Sequence, residues 1–341
     1  MNKERPEYDC ELEFVIESFK QDFLKFTGDE KIQIALDNAA AVYESNSNVE
    51  NLEKLIRLRF EHAKKLGKSC PAEVILERRH LSSSAKVVDF LADIKCDPLI
   101  SEPKGHFTLS RAFNELVNLC KEHFGVDAEI LNDFNFCGLN ALKCSISSDD
   151  KLIGDVLFVP RNFPAHYTLQ CRILDKQPAI VLITAPCKNP YKLSFRESQS
   201  IFHEFGHAMH SILSESRYQM LSGTRGSLEI AEIPSNLFEC FHARCFGVEP
   251  EGIDRRDIEL AIFDQKIHSV EPGKDGWIRE MWPTSLPQVM IPHFATYGAS
   301  YYVYPLGKFV ARKLAFKDSS FFLENLFKRG GMARISDLLK P

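Results

Sequence analysis

Apolar positions in the first ~125 residues recur at three- and four-residue steps, the period of a helix with one buried face. In residues 11–26 the set is Leu12, Val15, Ile16, Phe19, Phe23 and Phe26, and Gly28 follows as a stop. The pattern predicts a second helix after Asn48, with Leu52, Leu55, Ile56 and Ala63 inside and Gly67 at its end. A third starts in the serine run 82–84 and buries Val87, Val88 and Leu91. A fourth carries Phe113, Leu116, Leu119 and Cys120 and stops at Gly125. Between Gly154 and Pro186 the period changes to short β-rich runs, DVLFVP, HYTLQCRIL and AIVLITAP, separated by turn residues. Such runs predict one small, antiparallel sheet. Helical texture returns at about Ser194, with breaks at 247–252 and 272–287. The expected fold is mainly α, with a helical lobe at 1–125 and a second domain at 126–341. That second domain holds the sheet (154–186), two central helices (195–245) and a C-terminal helical part (253–341).

Composition narrows the function classes. Lys and Arg number 42 against 47 Asp and Glu, a net charge of −5, which gives no global attraction to nucleic acid or to an anionic membrane. The longest apolar run, Ala179–Ala185, has the length of a strand, far short of the roughly 18–20 residues of a membrane span. Ten cysteines with no C-x-x-C pair read as free thiols in a reducing compartment. The first residues, MNKERPEYDCELE, show no apolar signal region and no transit-peptide character. An intracellular chain, monomeric and without nucleic-acid or membrane partners, is the expectation.

The chemistry is concentrated at His203-Glu204-Phe205-Gly206-His207, an H-E-x-x-H sequence. On a helix, positions i and i+4 share a face, so both imidazoles can reach one ion while Glu204 lies beside them as a general base. Two neutral imidazoles hold Zn²⁺ without quenching its Lewis acidity. An H-E-x-x-H-x-x-G-x-x-H set is excluded, because His210 and Leu213 stand where Gly and the third His would be. A His₂Glu set takes its third ligand from a following helix. Glu229, Glu232 and Glu239 fall there at steps of three and seven, on one helical face. One of them would ligate one zinc per chain, and the others would orient the histidines. A closed structural site would normally use four Cys or His ligands.

The stretch HEFGHAMHSILSESRYQMLSGTRGSLEIAEIPSNLFECF resembles the signature of the thimet oligopeptidase family of zinc metallopeptidases, closest to its mitochondrial intermediate peptidase branch. HFATYGASYYVYPLGKFVA (293–311) resembles a second block of that family, and Asp264-Gln265-x-x-His268 a third. The resemblance implies a zincin-type helical metalloendopeptidase with its small sheet near the active site. It assigns His203, His207 and Glu232 as zinc ligands and Glu204 as catalytic base, with Glu229 and Glu239 behind them. His293, Tyr301 and Tyr304 become donors to the oxyanion. Gly223, Thr224 and Tyr297 lie beside the substrate. Independently of the resemblance, the position of His166 in the strand region suggests that it lines the cleft. On spacing alone, the tyrosines also read as an aromatic core patch. His62, His80, His106, His123 and His242 read as surface or satisfied core residues.

The implied substrates are short or extended peptides, including N-terminal peptides of imported precursors in the mitochondrial matrix. Otherwise the chain is expected to be cytoplasmic. Family members are commonly about twice this length, and the match leaves much of the N-terminal lobe unaccounted for. The competing expectation is a shortened, non-catalytic or incompletely folded chain that binds zinc and peptide without efficient turnover. Val159, where the family pattern has Asp, and Pro305 are smaller departures.

Overall fold

The computed structural model describes residues 30–96, 107–216, 218–250, 252–283 and 291–340. The helix expected at 11–26 lies outside them, as does His106. In chain order the main elements are α1 (Glu30–Ser45), α2 (Val49–Lys65), α3 (Pro71–Leu76), α4 (Ser84–Asp93) and α5 (Leu109–Phe124). Five strands follow: β1 (Asp127–Phe136), β2 (Leu139–Ser148), β3 (Lys151–Pro160), β4 (Ala165–Gln170) and β5 (Ala179–Ala185). Then come α6 (Phe195–Leu213), α7 (Leu228–Cys245), α8 (Arg255–Ser269) and α9 (Val303–Leu314), with short helical turns between and after them. Mainly helical with one small sheet is therefore the observed architecture.

Two compact units share these elements: residues 1–98 with 253–306, and residues 99–252 with 307–341. The partition cuts across the linear one expected at residue 125, because α5 packs with the sheet that follows it.

In the first unit, local signals set the helix ends. Asn48 caps α2 by accepting the Asn51 N–H at 2.8 Å, and Gly67 takes the left-handed φ of +73° that ends the turn after it. Leu52, Leu55, Ile56 and Ala63 are buried as expected. Ser83 caps α4, which buries Val87 and Leu91. Val88 is 36% exposed, a correction: it lies about 100° round the helix from Val87, outside the narrow stripe that faces inward. Glu53, buried, accepts the N–H groups of Gly276 and Ile278 (both 3.1 Å) and ties α2 to the segment after α8.

The second unit is built on the sheet, whose order is β1-β2-β3-β5-β4. It is larger than the three runs predicted, and β3 pairs with β5 in parallel, while the other three pairings are antiparallel. Strand β4 therefore folds back on the outer edge of β5 instead of separating it from β3. Val159 is buried on β3, opposite Thr184. Phe113 of α5 sits 5.5 Å from Phe158 of β3 and 6.4 Å from Phe205 of α6, centroid to centroid. Each such ring contributes on the order of 1.5–3 kcal/mol by burial. Phe124, Phe238 and Phe327 extend this core to the C-terminal segment. No helix among the described residues is long and apolar enough to cross a membrane.

Candidate active site and metal centre

Helix α6 is fixed at its start by a capping box: Ser194 accepts the Glu197 N–H (3.2 Å), and the Glu197 carboxylate accepts the Ser194 N–H (2.9 Å). Its apolar face, with Ile201, Phe202, Phe205, Met209 and Ile212, is fully buried. The remaining face presents His203 and His207 one turn apart. Helix α7 starts at Ser227, which accepts the Glu229 N–H, and carries Pro234 in its interior.

The two helices bring the predicted ligand atoms together. His203 Nε2 and His207 Nε2 lie 3.6 and 3.8 Å from Glu232 Oε2. One ligand atom from each of the three residues falls within 4.8 Å of the others. A tetrahedral zinc site with bonds of about 2.0–2.1 Å has ligand atoms about 3.3–3.5 Å apart, so these donors need only small movements to fit.

Support comes from behind. Glu239 Oε1 lies 2.6 Å from His203 Nδ1, leaving Nε2 to face the other ligands, and Gln199 Nε2 donates to the same carboxylate at 3.2 Å. Ser235 Oγ donates to Glu232 Oε2 (3.3 Å). Glu229 is buried in the first turn of α7, one turn before Glu232. Glu204 is 5% exposed, and its Oε2 lies 3.4 Å from His166 Nδ1. The ring of His166 stacks on that of His207 at 4.1 Å. His166, Glu204 and His207 form a second set with metal-ligand spacing, which shares His207 with the first. In the sequence His166 is marked only by its place in the strand region; its pairing with Glu204 depends on β4 lying at the sheet edge.

Electrostatics differ between the two histidines. Burial opposes charge on His203, but the hydrogen bond to Glu239 and the charges of Glu239, Glu232 and Glu204 outweigh it and push its pKa up to about 9. Burial, with His166, His203 and His210 nearby, holds His207 well below the ordinary histidine value. Burial raises Glu232, and His203 opposes the rise. At neutral pH the metal-free site thus holds His207 neutral and His203 protonated. Metal uptake must displace the His203 proton, so affinity is expected to rise about tenfold per pH unit from pH 7 and level off above about 9. Metal titrations across that range check it. An affinity independent of pH would show that His203 is already neutral in the metal-free site, so that Glu239 does not hold a proton on it.

Gly223 takes φ +57°, and a Cβ there would meet Ser211 Cα at 2.6 Å. Its close approach is to helix α6. Thr224 follows in the same short turn, half-buried. The tyrosine block belongs to the first unit. His293 is ringed by Tyr297, Tyr301 and Tyr304, with centroids at 5.2, 5.0 and 5.2 Å, and Tyr304 Oη lies 3.3 Å from His293 Nδ1. Tyr302 is fully buried and belongs to the core, as the packing reading of the block expects. His293 Nε2 has no hydrogen-bond partner among the described residues. Burial, with Asp257 close by, pushes the Tyr301 phenol up to about 12, so it remains a donor throughout the neutral range. Pro305 lies in the first turn of α9, where a missing N–H costs nothing. His242 is a core residue: Phe195 and Phe202 pack on it, and Ser198 Oγ lies 2.8 Å from its Nε2.

Residues 161–244 match the family described as Peptidase family M3. Mitochondrial intermediate peptidase of Arabidopsis thaliana is 28% identical over 198 residues, 43% of this chain and 28% of the plant protein. Mitochondrial intermediate peptidase of Lodderomyces elongisporus is 27% identical over 278 residues, 60% of this chain and 34% of the yeast protein. The chain thus spans about a third or less of these relatives. The M32 carboxypeptidase of Deinococcus radiodurans R1 shares the fold, with a TM-score of 0.53 at 15% identity over 90% of this chain and 73% of that one. The family resemblance read from the motifs stands over the matched stretch, and the names these relatives carry are those of peptidases.

Proposed function

We propose that this chain is a zinc-dependent metalloendopeptidase acting on short or extended peptides, with His203, His207 and Glu232 as its zinc ligands. The observation that carries this reading is the convergence of those three ligand atoms beside a buried carboxylate, Glu204, that is not needed to hold the ion. A bound zinc ion would polarise the scissile carbonyl and lower the pKa of a water toward about 7.

The chain's own groups do the rest. Glu204 accepts the proton of the attacking water at its carboxylate and delivers it to the leaving amine nitrogen. Glu239 holds His203 in the tautomer that keeps Nε2 free, and Ser235 fixes one oxygen of Glu232. Glu229 lies behind these groups. Tyr301, Tyr304 and His293 donate hydrogen bonds to the developing oxyanion. Gly223, Thr224 and Tyr297 contact the flanking peptide.

The motif resemblance implies the substrates, N-terminal peptides of imported precursors in the mitochondrial matrix, and the relatives' names are those of mitochondrial peptidases. The competing reading is a chain that binds zinc and peptide without efficient turnover.

Cleavage of a quenched fluorescent oligopeptide decides between them. Turnover is expected to fall below one hundredth after a chelator and to return with stoichiometric Zn²⁺. Stoichiometric zinc with no turnover would establish the second reading.

A further inference from the structure

Asp264, Gln265 and His268 lie on one face of α8, at steps of one, three and four. Asp264 is fully buried and accepts two backbone N–H groups, from Ala299 (3.0 Å) and Tyr301 (2.9 Å). Gln265 Nε2 donates to the Ala299 carbonyl at 2.7 Å. Ala299 is therefore gripped at both backbone atoms, in the left-handed region (φ +57°), where a residue with a Cβ is strained. His268 Nδ1 lies 3.0 Å from Asp264 Oδ1, and its Nε2 lies 2.9 Å from Arg59 Nη1. Arg59 donates to the carbonyls of Phe294 (2.6 Å) and Ala295. This one polar chain thus holds both ends of the segment from His293 to Tyr301. Gly298 completes it: a Cβ there would meet Arg59 Nη1 at 2.2 Å and His268 Nε2 at 2.3 Å, so only glycine admits the chain.

Burial of three charged or polar groups needs a reason, because an apolar core would hold two helices at lower cost. Burial works against the Asp264 charge, yet the His268 partner and the Tyr301 N–H bring its carboxylate below the ordinary range; burial pulls Arg59 down to about 10. The groups they fix are His293 and Tyr301, whose rings and those of Tyr297 and Tyr304 point at one another.

We infer that Asp264 is a positioning residue, which sets the backbone of Ala299 and Tyr301 so that the Tyr301 hydroxyl is aimed for transition-state stabilisation. The inference rests on the peptidase reading above and on Tyr301 as an oxyanion donor. A donor misplaced by about 1 Å can cost about a hundredfold in rate.

The test combines kinetics with amide hydrogen exchange on the whole chain loaded with zinc. Asp264→Asn is expected to speed exchange at Ala299 and Tyr301. It should lower kcat by about tenfold to a hundredfold, with KM and zinc content within about twofold. In a Tyr301→Phe background the same substitution should cost less than about twofold, because the donor it positions is already gone. Gln265→Met, which removes one hydrogen bond and keeps the carboxylate, should show both effects at smaller size and covers the case in which Asp264→Asn does not fold. Faster exchange with unchanged kcat, or a kcat loss fully additive with Tyr301→Phe, would overturn the inference while leaving the peptidase standing. Faster exchange in a chain whose wild type shows no chelator-sensitive turnover would instead bring down the peptidase reading, and this catalytic role with it.

Discussion

Glu204→Gln is expected to lower peptide turnover by about 10³–10⁴-fold while the chain still binds one zinc. The expected loss sits at the upper end for a general base because one carboxylate serves two proton transfers, from water and then to the leaving nitrogen. Glutamine has nearly the same volume, so a residue only 5% exposed is replaced without a cavity or a clash. It cannot accept the proton. The ligand atoms of His203, His207 and Glu232 are untouched, and metal content measured by atomic emission should stay near one per chain. A variant that keeps more than about a tenth of wild-type turnover would remove Glu204 from the mechanism. Turnover and zinc lost together would point instead to Glu204 as a ligand, in the set it forms with His166 and His207.

The sequence made some of this visible and hid the rest for identifiable reasons. Helix ends were legible where a single side chain or glycine sets them, at Asn48, Ser83, Gly67 and Gly125. The ligand pair was legible because i and i+4 share a face whatever the tertiary fold. The glutamates were legible as a face, but nothing local distinguishes Glu232 beside the imidazoles from Glu239 behind one of them. Strands β1 and β2 were missed. In β1 no position is fully buried, so the alternation that betrays a half-buried strand is weak. The parallel β3–β5 pairing depends on which edge β4 chooses, a long-range choice with no local signature. Helix α1 was missed as well; its exposed Ile34 and Val42 blur the apolar stripe. The polar chain of α8 was seen only as a recurring Asp-Gln-x-x-His string. Its purpose needed Arg59, two hundred positions earlier in the chain.

Gly206→Ala is expected to damage the site without touching a single functional atom. In most helices this change is favourable by about 0.5–1 kcal/mol, because alanine loses less backbone freedom on folding. Here a Cβ would lie 2.7 Å from the Pro234 carbonyl oxygen and 2.8 Å from Ser235 Cα. Both are backbone atoms of α7, so no side chain can swing aside, and the helices must separate. Overpacking of this kind typically costs about 1–3 kcal/mol, more than the helical gain, so a lower Tm is expected. The effect on metal should exceed the effect on stability. Glu232 lies two residues before Pro234, and its Oε2 is already 3.6 and 3.8 Å from the two imidazole nitrogens, the long side of a tetrahedral edge. Any outward shift of α7 lengthens both separations together. Zinc affinity should therefore fall by about 10–100-fold, comparable to losing a supporting group behind a ligand. Turnover at saturating zinc should recover in part, because Glu204 and the two histidines remain on their own helix. Zinc titration beside a thermal melt separates these effects. Unchanged affinity with a lowered Tm would mean that the gap between α6 and α7 is set elsewhere, and that Glu232 reaches the histidines from a helix that need not lie so close.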